Sequence, residues 1–181
     1  MNGADAGFPP APCPAESKRQ SVYSPGVVRD GERLCRVVHQ LQAVVGSGLG
    51  PAAFPVKDLC DAERAGISVI RINGMTASEC QRLVRTAFDR PAGWTWLGTG
   101  TATCGRIRNI LHDGARAFCV VDDGKPGFET HALIRLRDPK SRRSLARRLR
   151  ASLLSAFRYL PEDHAFRRKH HAARTHDAEP R

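Results

Sequence analysis

His131 is the one histidine whose neighbours suit acid–base chemistry. Glu129 lies two residues before it and Arg135 four residues after it on the same predicted strand, and Arg116 lies on the predicted adjacent strand. An imidazole oriented by a carboxylate, with guanidinium groups to hold an anion, is a minimal apparatus for cleaving a phosphate ester. In this reading His131 is the general acid or base and Glu129 its partner. Arg116 and Arg135 then clamp the transition state. The competing reading is a partly covered histidine satisfied by hydrogen bonds within a sheet.

A second constellation is basic. Arg143, Arg147, Arg150 and Arg158 recur near helical spacing, interrupted by Leu154. Lys140, Arg142 and Arg143 fall in the first turn of the same predicted helix, just after Arg135 and Arg137. Cations at a helix N-terminus oppose the helix dipole, and the arrangement improves when an anion binds there. These eight residues are the expected phosphate contacts.

The charge distribution agrees. Of a net charge of +11, residues 138–181 supply +7, from twelve basic and five acidic side chains. A local basic surface of this kind fits a polyanion, RNA or DNA, with an acidic protein as the alternative partner.

Other motifs carry less. Gly98-Thr99-Gly100-Thr101 has no following Lys-Ser/Thr, so it is not a nucleotide P-loop. Trp94 and Trp96 suit core packing, with base stacking as the alternative. His164, His170, His171 and His176 lie in a charged tail without metal-ligand spacing, so no metal or cofactor is expected. The six cysteines contain no CxxC pair. Cys80 and Cys119 read as small buried hydrophobes, which favours a reducing, cytoplasmic setting. No apolar run reaches bilayer length and no secretory signal layout opens the chain, so no membrane role is expected.

The elements that must position these groups follow from periodicity. Residues 1–28, rich in Pro, Ala, Gly and Ser, are expected to form a disordered leader. Residues 29–160 form a single α+β domain, and 161–181 a basic His-rich tail. Leu34, Val37, Val38, Leu41, Val44 and Val45 predict an N-terminal helix over 31–45. Ile67–Ile72 predicts a strand, and the Thr76…Glu79 capping box a helix to about Asp89. Residues 92–104 are ambiguous between strand and loop. An antiparallel meander follows: Arg106–His112, a two-residue Asp113-Gly114 turn, Ala115–Val121, a turn over 122–127, and Phe128–Arg137. In this register His112 pairs with Ala115 and Val121 with Phe128. Asn109, Phe118 and His131 then share a face.

A closing basic amphipathic helix spans 138–160, with Leu145, Leu149, Leu153, Ala156, Phe157 and Leu160 on its core side. After the N-terminal helix the predicted order is thus β-α-β-β-β-α. The function expected is nucleic-acid binding through the arginine face. The alternatives are a small nuclease or toxin-like ribonuclease using His131, and a regulatory module that binds an acidic protein.

Overall fold

The structure is a computed structural model that describes residues 12–16, 21–39, 43–60, 66–75, 79–80, 82–83, 97–138 and 143–161. The chain runs through β1 (Arg33–Val38), a small hairpin of β2 (Val44–Val45) and β3 (Gly48–Leu49), and a 3-10 turn at Pro51–Ala53. Next come α1 (Val56–Cys60), β4 (Ile67–Arg71), β5 (Gly98–Thr103) and α2 (Cys104–Arg108). A second small hairpin, β6 (Leu111–His112) and β7 (Ala115–Arg116), leads into β8 (Phe118–Asp122) and β9 (His131–Leu136). The described chain closes with α3 (Arg143–Ala156) and β10 (Arg158–Pro161).

Helices and antiparallel sheet combine in an α+β fold. Its centre is a six-stranded sheet in the order β10-β5-β1-β4-β9-β8. The closing helix packs on one face of this sheet as its apolar stripe requires. Ala146, Leu149, Leu153 and Ala156 are buried, in one cluster with Leu34, Phe54, Leu59, Ile67, Val69, Phe118, Val120 and Ile134. Each such leucine contributes about 1.5–3 kcal/mol on burial. Gly100 in β5 leaves room for the β2–β3 hairpin, because a Cβ there would lie 2.7 Å from Leu49 Cδ1.

The opposite sheet face has smaller clusters. Cys35, Val37 and Ile70 pack with Ile72, Cys80, Leu83 and Phe128. Cys13 joins Cys119 in a disulfide, Cα–Cα 5.7 Å, and both pack with Val121. Residues 12–16, expected in a loose leader, are thereby held against the sheet, and Cys119 is not a free thiol.

Several predicted elements take a different form. Residues 33–38 are a strand paired to β4 and β5, not part of a helix. Their apolar positions satisfy helical spacing, but both faces of β1 are buried, and that removes the alternation that marks a strand.

The predicted strand at 106–112 opens as helix: residues 106–108 complete α2, and only Leu111–His112 are strand. The Thr103 hydroxyl accepts the Arg106 N–H at 3.4 Å, which starts α2. The Asp113-Gly114 turn forms as expected, with φ of 49° and 73°, and aligns His112 with Ala115.

The β8–β9 register is shifted. Val121 pairs with Leu133 and Val120 with Ile134. A turn with a Lys125–Phe128 bridge takes up the chain between. The shift is odd, so Phe118 and His131 face opposite sides of the sheet.

The last helix ends at Ala156, and Arg158–Pro161 instead adds an edge strand to β5. Phe157 stays in the core, its ring 5.0 Å from Phe54. The helix predicted from Thr76 falls largely outside the described residues; Glu79, Cys80, Arg82 and Leu83 are helical. Trp94, Trp96, Lys140, Arg142 and the tail also lie outside them. No helix among the described residues is long and apolar enough to cross a membrane.

Candidate functional site

His131 opens β9 and is buried, 6% exposed. Its orienting partner is Asp123, not Glu129. The ring Nδ1 lies 2.9 Å from Asp123 Oδ2 and 3.1 Å from Asp123 O. Asp123 comes into reach because it follows β8 directly and the Asp123 N–H donates to His131 O at 3.1 Å. Phe128 covers the ring at 5.0 Å between centroids. Burial holds the imidazole below its ordinary pKa, partly offset by Asp123. The ring is therefore neutral at pH 7. Glu129 is exposed, and its Oε1 accepts the Gly127 N–H at 2.9 Å.

The two arginines of the expected clamp do not converge on His131. Arg135 is four residues along the same strand, roughly 13 Å away at strand spacing. Its aliphatic stem runs over Gly66, where a Cβ would meet Arg135 Cγ at 2.9 Å. Its Nε is buried and has no hydrogen-bond partner among the described residues.

Arg116 is drawn instead to Glu16, at 3.4 Å. Glu16 is buried. It also takes Arg108 at 3.1 Å and the Val120 N–H at 2.6 Å. Arg108 holds Asp30 at 2.6 Å as well. This cluster links the N-terminal segment, α2, β7 and β8. His112 sits in the β6–β7 hairpin, its Nε2 3.4 Å from Asp113 Oδ2.

The basic face of α3 is more open. Arg143 and Arg147 are exposed and Arg150 is half-buried. Arg148, outside the stripe expected from spacing, is exposed too. It lies about 100° round the helix from Arg147. Among the described residues none of these four forms an ion pair. Arg158 is exposed on edge strand β10. Arg137 is half-buried, and its backbone N–H donates to Ala117 O at 2.9 Å.

On the other flank of α3, the Arg106 Nη2 donates to Ser155 O at 3.2 Å. Arg106, Asn109, Ser152 and Ser155 line an open groove there. Arg106 could not be placed from sequence, because its strand assignment pointed it elsewhere. The arrangement is a rigid helix presenting guanidinium groups without described counter-charges, suited to binding oxyanions rather than to bond cleavage. Among the described residues no group of three or more His, Cys, Asp or Glu side chains could hold a metal ion. Comparison with protein-family models, with curated proteins and with solved structures finds no match to this chain.

Proposed function

We propose that the outer face of α3 binds the phosphate backbone of a nucleic acid. Arg143, Arg147, Arg148 and Arg150 are the main contacts, and Arg158 lies beyond the helix end. The observation that carries this reading is the row of solvent-reaching guanidinium groups on one rigid element, with no carboxylate among the described residues to neutralise them. Arginine forks match phosphate geometry, and such contacts carry no base readout, so sequence preference should be weak. From Arg143 to Arg150 the helix advances roughly 10 Å, enough for a few phosphates. Lys140, Arg142 and the basic residues beyond 161 add charge near its ends in sequence. The Cys13–Cys119 disulfide weighs against the cytoplasmic setting expected from sequence, because cytosolic thiols are kept reduced.

The test is salt-dependent binding to single-stranded and duplex RNA and DNA. About four phosphate contacts give a log–log salt slope near −3.6 on duplex DNA. Arg143→Glu with Arg147→Glu removes two contacts, so the slope should shrink by about 1.8 and low-salt affinity should fall. Absence of binding at low salt to every probe overturns the proposal. It leaves an acidic protein as the partner to test.

A further inference from the structure

A cavity of about 250 Å³ lies away from the α3 face, where the end of β1 meets the 3-10 turn and α1. Its polar lining is Arg36, His39, Lys57 and Asp58. Ala43 and Ala53 are among its apolar walls.

Arg36 is the unusual member. β1 presents it on the same sheet face as Leu34 and Val38, beneath the helices. Two backbone carbonyls hold it: Nε donates to Ala53 O at 3.1 Å and Nη1 to Ser68 O at 3.0 Å. Its Nη2 donates to no described group. Burial pulls the Arg36 pKa down, with Asp58 opposing. A guanidinium stays charged in such a place, so an anion entering the cavity meets a fixed positive charge with donor capacity to spare.

Among the described residues the lining has one charge left over. Arg36 and Lys57 are cationic and Asp58 is anionic. His39 is held below its ordinary pKa by burial and by Arg36, and so is neutral at pH 7. The room equals roughly eight waters, just below the usual range of ligand pockets. That suits a small organic molecule and excludes a polymer.

We propose that this cavity binds a small hydroxylated phosphate monoester, such as a pentose phosphate. Its phosphoryl oxygens sit against Arg36 and Lys57, and a hydroxyl donates to Asp58. Cationic donors from two elements suit the three terminal oxygens of a phosphoryl group better than the two of a carboxylate. Asp58 contributes an acceptor for the organic part. The site does not rest on the α3 reading, since it uses none of those arginines.

Calorimetric titration of the full chain with ribose 5-phosphate tests it, with ribose, inorganic phosphate and acetate as comparisons. Ribose 5-phosphate is expected to bind at millimolar concentration or below, inorganic phosphate more weakly, and ribose not at all. Arg36→Lys should weaken binding at least about tenfold, because the fork geometry is lost. Lys57 is exposed, so Lys57→Met keeps the fold even if Arg36→Lys does not, and it should weaken binding several-fold. No heat with ribose 5-phosphate overturns the proposal. So does acetate binding equally well, or Lys57→Met binding as wild type does.

Discussion

Releasing the N-terminal segment should be the most damaging conservative change in this protein. Cys13→Ser breaks the bond to Cys119, which closes a sequence separation of 106 residues. In the chain-entropy account, a loop of that length restricts the unfolded chain by about 16 cal/mol/K, or about 4.8 kcal/mol at 25 °C. The native side adds to this. Residue 13 holds Glu16 three positions on, and Glu16 neutralises Arg108 and Arg116 and accepts the Val120 N–H. If the segment lifts away, Arg108 keeps only Asp30, which is itself exposed. At about 2–4 °C per kcal/mol for a chain of this size, the thermal midpoint should fall by about 10–20 °C. The assay is thermal unfolding of the oxidised protein, the dithiothreitol-treated protein and Cys13→Ser. A non-reducing peptide map joining the Cys13 and Cys119 peptides should accompany it. The reduced protein and the variant should melt together, well below the oxidised form. Midpoints within a degree or two for all three would refute the reasoning, since neither the bond nor the buried glutamate would then be restraining the fold.

Three further outcomes follow from the packing and the titrating groups. Phe54 is fully buried against Phe157, so Phe54→Ala should cost about 3–5 kcal/mol, read as a lower urea midpoint with an unchanged m-value. His131 binds its proton less readily when folded than its ordinary value of 6.5 implies. Its contribution is therefore present above about pH 6.5 and is lost as pH falls towards the lowered folded value. His39 shifts the same way, so midpoints should fall between pH 7 and 5. His131→Asn should make that slope shallower; an unchanged slope would place the loss elsewhere. Burial raises the Cys104 thiol to about 12, so at pH 8 roughly one molecule in ten thousand holds it as thiolate. Iodoacetamide should label Cys80 and Cys60 in the native protein and reach Cys104 and Cys35 only on unfolding. Peptide mass spectrometry reads this directly, and native labelling of Cys104 would contradict its burial.

Local chemistry accounts for what the sequence alone determined. The apolar stripe of α3 is legible because a helix on a sheet must bury one side, and Leu149, Leu153 and Ala156 recur at that period. The Asp113-Gly114 turn is legible because two positive-φ positions demand those residues. The β-branched run at 67–71 reads as a strand for an equally local reason. The basic face follows from the same helical arithmetic, and the structure added Arg148 to it.

What depended on distant partners was not legible. β1 is buried on both faces, so its pattern cannot separate strand from helix until β4 and β5 supply the hydrogen bonds. The β8–β9 register was set by where the chain turns, and an odd shift moved Phe118 away from His131. The partner of His131 became Asp123, and Arg116 went to Glu16, one hundred residues earlier. Arg36 reads as one more surface charge until α1 and the 3-10 turn fold over it. Periodicity reports which side of an element is apolar, because that is a property of neighbours in the chain. Which charges meet is decided by register and crossover, and these exist only once the sheet has formed.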